Sequence, residues 1–203
     1  MTNEELAKRD YVIAIDKSGS MSTNDCPGGK TRWAWVQEQA ENVARKCGEF
    51  DSDGIDVIVF AGTPKEYKGV TADKVHKIFG ENSPSGSTDT AAAVKLVTDG
   101  YFARKAAGSA KPVTLLVFTD GVPNDGKALA KVITDAANKI DADEELAISF
   151  LQVGKDEGAR AYLKSLDDDL QSHGAKFDIV DTKDDAEMES ITVEELLIEA
   201  ITD

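Results

Sequence analysis

Residues 11–31 read YVIAIDKSGSMSTNDCPGGKT. An almost continuously apolar, β-branched run ends in Asp16, and a loop of hydroxyls and glycines follows. Such a run has the length and composition of a strand covered on both faces, which is the habit of parallel sheets. Similar runs lie at residues 55–60, 113–118, 147–153 and 176–180. Residues 66–70 form a shorter run, and the charges of Lys65 just before it and of Glu66 and Lys68 within it discourage pairing, as expected of an edge strand. Between these runs lie stretches of helical spacing at residues 31–47, 71–79, 88–106, 125–140, 156–170 and 192–201. The first stops at Gly48, the second at Gly80, and the third is rich in alanine, a strong helix former. Residues 182–189 are acidic and read as a solvated loop or a ragged helix start.

Strand and helix alternate along the whole chain. The expected fold is therefore α/β, an open, mostly parallel sheet with helices on both faces. The length of 203 residues suits one domain, taken as residues 1–203 with a core at about 11–201. Ligands of such sheets bind beyond the carboxyl ends of the strands, where strand order reverses. The loops after residues 15, 60 and 118, and the one entering the Ala-rich helix, are the places to look.

Composition narrows the function. The net charge is −15, which disfavours nucleic acid or an anionic membrane as a partner, since both want clustered Lys and Arg. No apolar run is long enough to cross a bilayer, and the N-terminal MTNEELAKRD lacks the apolar core of a secretory signal. The two cysteines, Cys26 and Cys47, have no metal spacing and form no disulfide framework. Reduced thiols in a cytoplasmic protein are the simplest expectation.

The first loop offers two chemistries. Gly29-Lys30-Thr31 resembles the end of a phosphate-binding P-loop, but the first glycine of that motif would fall on Asn24. Pro27 also removes a backbone donor that such a cradle uses. A phosphatase of the haloacid-dehalogenase type would need a second Asp two residues after Asp16. Ser18 stands there instead, and its hydroxyl cannot protonate a leaving group at neutral pH. The other chemistry is a cation site. Asp16, Ser18 and Ser20 alternate in an extended stretch, so their side chains point the same way. One carboxylate and two hydroxyls are hard oxygen donors suited to Mg²⁺ or Mn²⁺.

Two further loops reinforce the second reading. Ser85-Gly-Ser-Thr88-Asp-Thr90 runs straight into the Ala-rich helix, and Leu115-Leu-Val-Phe-Thr-Asp120-Gly121 ends a strand in a carboxylate. Together they bring two carboxylates and three hydroxyls to one sheet edge, where a divalent ion would relieve the repulsion of buried acids.

Asp16-x-Ser18-x-Ser20, the Thr of Gly86-Ser-Thr88, and Thr119-Asp120-Gly121 together resemble the von Willebrand factor type A domain and its metal-ion-dependent adhesion site. The resemblance spans roughly residues 11–201. It implies a Rossmann-like six-stranded sheet with one short antiparallel edge strand. It also implies direct coordination by Ser18 and Ser20, by Thr88 when a ligand is present, and a largely water-mediated role for Asp16 and Asp120. One coordination position would remain for an Asp or Glu of a partner protein. Mg²⁺ is the expected ion, with Mn²⁺ or Ca²⁺ as substitutes.

The chain looks most like intracellular, stand-alone bacterial members found with tellurite-resistance and stress genes, through LQVG at 151–154 and GAKFDIVDT at 174–182. The expectation is a non-enzymatic binding module. A metal-dependent phosphatase or hydrolase at the same site, and a subunit coupled to an AAA+ ATPase, are the alternatives. Around the site, Asp25, Asp89 and Trp33 are candidates for a partner-binding rim. The bland readings are a turn former for Asp25, a helix N-terminal charge for Asp89, and a core side chain for one of Trp33 and Trp35, which cannot face the same way. Lys17 is expected to point away from the ion. His76 and His173 read as surface residues.

Overall fold

The structure, a computed structural model, describes residues 2–49 and 54–202. Met1, residues 50–53 and Asp203, which the one-domain reading includes, lie outside the described residues. The elements are α1 (Asn3–Leu6), β1 (Asp10–Asp16), α2 (Arg32–Cys47), β2 (Ile55–Phe60), β3 (Lys65–Val70), α3 (Ala72–Glu81), α4 (Thr90–Ala106), β4 (Val113–Thr119), α5 (Gly126–Ala137), β5 (Leu146–Gln152), α6 (Glu157–Asp169), β6 (Val180–Lys183), α7 (Asp185–Ser190) and α8 (Val193–Thr202). Short 3₁₀ turns stand at Gly19–Ser22, Pro27–Gly29 and Asp143–Glu145.

The six strands form one sheet in the order β3-β2-β1-β4-β5-β6. All neighbours are parallel except β2 and β3. Alternate residues of the inner strands enter two separate cores, as a period of two requires. Ile13, Ile15, Leu116 and Phe118 pack under α2, α3 and α8. Ala14, Leu115, Val117 and Phe150 pack under α4, α5 and α6. Every residue of β4 and β5 is buried, which accounts for their nearly unbroken apolarity.

Helix starts follow local chemistry. Thr31, Asp89, Asp125 and Asp156 each accept a hydrogen bond from the third backbone N–H beyond, capping α2, α4, α5 and α6. The edge strand β3 carries Lys68, which pairs with Asp56 and Glu66.

Several expected boundaries move. Helix α3 continues through Gly80 to Glu81. Helix α4 begins at Thr90, so Thr88 stays in the loop. The last strand is not residues 176–180 but Val180–Lys183. Its polar look conceals it: the buried Asp181 accepts from Ser149 Oγ at 3.0 Å and Lys183 Nζ at 2.7 Å, and Thr182 Oγ1 donates to Asp167 at 2.7 Å. Pairing offsets the cost of burying polar groups, and an apolarity pattern cannot see the pairing. The acidic stretch at 182–189 is ordered as well. Asp184 and Glu187 cap α7 reciprocally, the side chain of each accepting from the other's backbone N–H.

Candidate metal centre

Strand order reverses at β1. The chain leaves β1 for β2 on one side, while β4 lies on the other. The loops that follow β1 and β4 therefore part, and the crevice between them is where sheets of this kind bind ligands. The register sets Ile15 beside Phe118, so Asp16 and Asp120 leave neighbouring strand ends side by side.

Beyond Asp16 the 3₁₀ turn Gly19–Ser22 curls the chain back and brings two serines together, Ser18 Oγ lying 3.0 Å from Ser20 Oγ. Ser20 Oγ donates to Asp120 Oδ1 at 2.9 Å. The backbone of this turn is stitched to the third loop, Gly19 N–H donating to Gly86 O and Ser85 N–H to Lys17 O. Gly86 has φ +90°, and a Cβ there would sit 3.2 Å from Ala61 Cβ. Only glycine meets both conditions easily. That loop is held to the end of β2 by Asp89 N–H donating to Ala61 O. Thr88 is fixed from the other side: its N–H donates to Asn124 Oδ1 at 3.1 Å, and Asn124 N–H returns a bond to Thr88 O at 2.9 Å. Three loops are thus tied into one unit by their own backbones.

The electrostatics are those of buried acids. Asp16 is fully buried, with Ser18 N–H at 2.7 Å on one oxygen and Thr119 Oγ1 at 2.9 Å on the other. Burial, reinforced by the charge of Asp120, pushes its carboxyl up to about 6 in spite of these donors. Asp120 is also buried, and its second oxygen accepts from Arg32 at 2.8 Å. The same guanidinium grips Asp25 with two bonds of 2.9 and 2.6 Å. Those bonds hold the Asp25 carboxyl below its ordinary range and raise Arg32 above its own.

Among the described residues no three His, Cys, Asp or Glu side chains gather into a metal cage. The donor set here is of another kind, two carboxylates with serine hydroxyls between them, and it fits a hard divalent cation. Asp16, Ser18, Ser20 and Asp120 would hold such an ion, with Thr88 on the neighbouring loop.

The rim candidates each have partners within the chain. Asp25 is an ion-pair partner rather than a simple turn former. Asp89 is the N-cap of α4, its side chain accepting from Ala92 N–H at 3.0 Å. Trp33 is half-buried and tilts onto Phe79, ring centres 4.4 Å apart, against the core beneath α2 and α3. Trp35 is buried. Lys17 reaches out to Ser85 Oγ. His76 contacts Gln37 on the α2–α3 surface, and His173 lies beyond α6. Cys26 and Cys47 are both buried.

The residue missed in the sequence is Arg32. Its signal was there: a cation in the first turn of a helix opposes the helix dipole and needs an anion nearby. Asn124 and the hydroxyl of Thr119, which orient Thr88 and Asp16, gave no such sign.

Among the described residues no helix is long and apolar enough to cross a membrane. Comparison with curated proteins returns no match. Solved structures share the fold at low identity. The PilB minor pilin from Streptococcus sanguinis matches with TM-score 0.65 and 12% identity over 94% of this chain, which covers 60% of that chain. The SpRpn10 VWA domain matches with TM-score 0.63 and 12% identity over 87% of both chains. The manganese-loaded TRAP protein of Plasmodium vivax matches with TM-score 0.59 and 16% identity over 95% of this chain and 74% of that one. The profile of the von Willebrand factor type A domain matches residues 11–122, a span running from the first strand past Asp120, and by that match the chain belongs to this family.

Proposed function

We propose that the chain is a divalent-metal-dependent protein-binding module. A cation, Mg²⁺ in the first place, is held by Asp16, Ser18, Ser20, Thr88 and Asp120 and captures an Asp or Glu side chain of a partner protein. The observation that carries this is the run of Ser18, Ser20 and Asp120 oxygens, spaced 3.0 and 2.9 Å apart beside the buried Asp16. Hydroxyl ligands are neutral, so they leave a bound ion still electrophilic and open to an outside carboxylate. The manganese-loaded TRAP structure supports a site of this kind in the fold.

A binding role is favoured over catalysis by the state of the nearby acids. A hydrolase at this site would need a general base. Asp25, held low by Arg32, is a poor one, and Asp89 is committed to its helix cap. Complex assembly or regulation is the role that follows. A role of the tellurite-resistance or stress-response type is proposed from the sequence likeness at residues 151–154 and 174–182.

The test is affinity capture in Mg²⁺ against EDTA, read by mass spectrometry, with a Ser18→Ala/Ser20→Ala variant beside the natural chain. The partner is expected to be retained in Mg²⁺ and released by EDTA and by the double substitution, while the circular dichroism stays native. Equal capture in EDTA would rule the mechanism out.

A further inference from the structure

Arg32 is the first residue of α2, and its side chain is only 11% exposed. Its nitrogens are shared between two acids. Nε and one terminal nitrogen hold both oxygens of Asp25, and the other terminal nitrogen holds Asp120 Oδ2 at 2.8 Å. Behind it runs Gly154, at φ +78°, where a Cβ would lie 2.5 Å from Arg32 Nε. A side chain there would have to displace the guanidinium, which lies between that backbone and the two carboxylates. A planar fork with this geometry cannot be mimicked by a point charge. The other oxygen of Asp120 accepts from Ser20. The carboxylate that the cation would use thus already has a fixed positive charge on one side.

We propose that Arg32 is a resident counter-cation that competes with the divalent ion for Asp120 and so sets the metal affinity of the site. The inference rests on the reading of this site as a divalent-cation site. Its physical content is simple. A guanidinium in a charge-assisted bond withdraws donor strength from the carboxylate it holds. It also repels a second cation a few ångströms away, in surroundings where water screens little. Asp25 matters because it anchors the guanidinium through two bonds. The long first loop that carries Asp25 is thereby linked to the metal site through one side chain.

Isothermal titration of Mn²⁺ into the full chain tests this. Arg32→Gln is expected to bind Mn²⁺ about tenfold more tightly than the natural chain, the size expected for losing one close, poorly screened charge. The control is Lys30→Gln, which removes an equal charge from a residue paired with Glu38 and not with Asp120. Its affinity is expected to stay within about twofold, as for a screened surface charge. Unchanged or weaker binding by Arg32→Gln overturns the proposal, and so does an equal gain from Lys30→Gln. If Arg32→Gln fails to fold, Arg32→Met takes its place. It keeps the apolar length of the side chain but removes the charge, so tighter binding supports the proposal and unchanged affinity overturns it. Failure of the natural chain to bind Mn²⁺, or equal binding by Ser18→Ala/Ser20→Ala, overturns the site itself. Natural binding with no response at Arg32 overturns this inference alone.

Discussion

Asp16 shows how burial changes the chemistry of a side chain. Removed from water and beside a second acid, its carboxyl is raised to about 6. A carboxyl with a raised folded value favours the folded chain when protonated. That contribution is whole below the ordinary value of 3.8 and is lost as the pH climbs through about 6. A metal ion needs the ionised form, so metal binding runs the opposite way. The rise in melting temperature produced by Mg²⁺ is expected to be large at pH 7.5 and small at pH 5. Below about pH 6 the apparent affinity should fall roughly tenfold per pH unit, as for one competing proton. Asp16→Asn should abolish the Mg²⁺ response at every pH. Differential scanning fluorimetry across that range checks all three. At this scale the five metal candidates were legible because each combines a donor oxygen with a position at a strand end or loop. Arg32 was harder to see, because the partners that explain it lie 7 and 88 positions away along the chain.

At the scale of elements, the ends of strands and helices decide which side chains face the crevice. Asp89 shows the distinction. It neighbours Thr88 but spends its carboxylate on the N-terminus of α4. Asp89→Ala is expected to lower unfolding stability by about 1 kcal/mol, the usual worth of an N-cap. The Mn²⁺ affinity should remain within about twofold. Urea denaturation and titration calorimetry separate the two effects, and a large loss of affinity would make Asp89 part of the site. Element boundaries were readable where apolarity or a capping side chain marks them, as in β1, β4 and the start of α2. They were unreadable where polar groups pair in space. The strand Val180–Lys183 holds a buried Asp181 that needs Ser149 and Lys183 to be tolerated.

Taken whole, the molecule is a sheet between two cores with the candidate metal centre at one edge. Two cores, one on each face, clamp the central strands β1 and β4 that end in Asp16 and lead into Asp120. Phe118 is fully buried one residue from the end of β4. Phe118→Ala is expected to cost about 3–5 kcal/mol of stability, the range for emptying a large core position. It should weaken the Mg²⁺ response only in proportion to the unfolded fraction, which denaturant titration with and without Mg²⁺ would show. The net charge of −15 fits this division of labour. An acidic surface repels an acidic partner at long range, so in the proposed mechanism capture would come from the metal edge.

The sequence by itself determined the alternation of strand and helix, the parallel sheet, and the residue types available at the strand ends. These follow from local periodicity and from side-chain chemistry, which the chain carries with it. Only the tertiary structure decided that three loops lock together through backbone bonds, that Asp25 and Asp120 share one guanidinium, and that a polar tetrapeptide closes the sheet. Each of these depends on groups far apart in the chain meeting where water is partly or wholly excluded, so that an unpaired charge or donor is costly to leave alone.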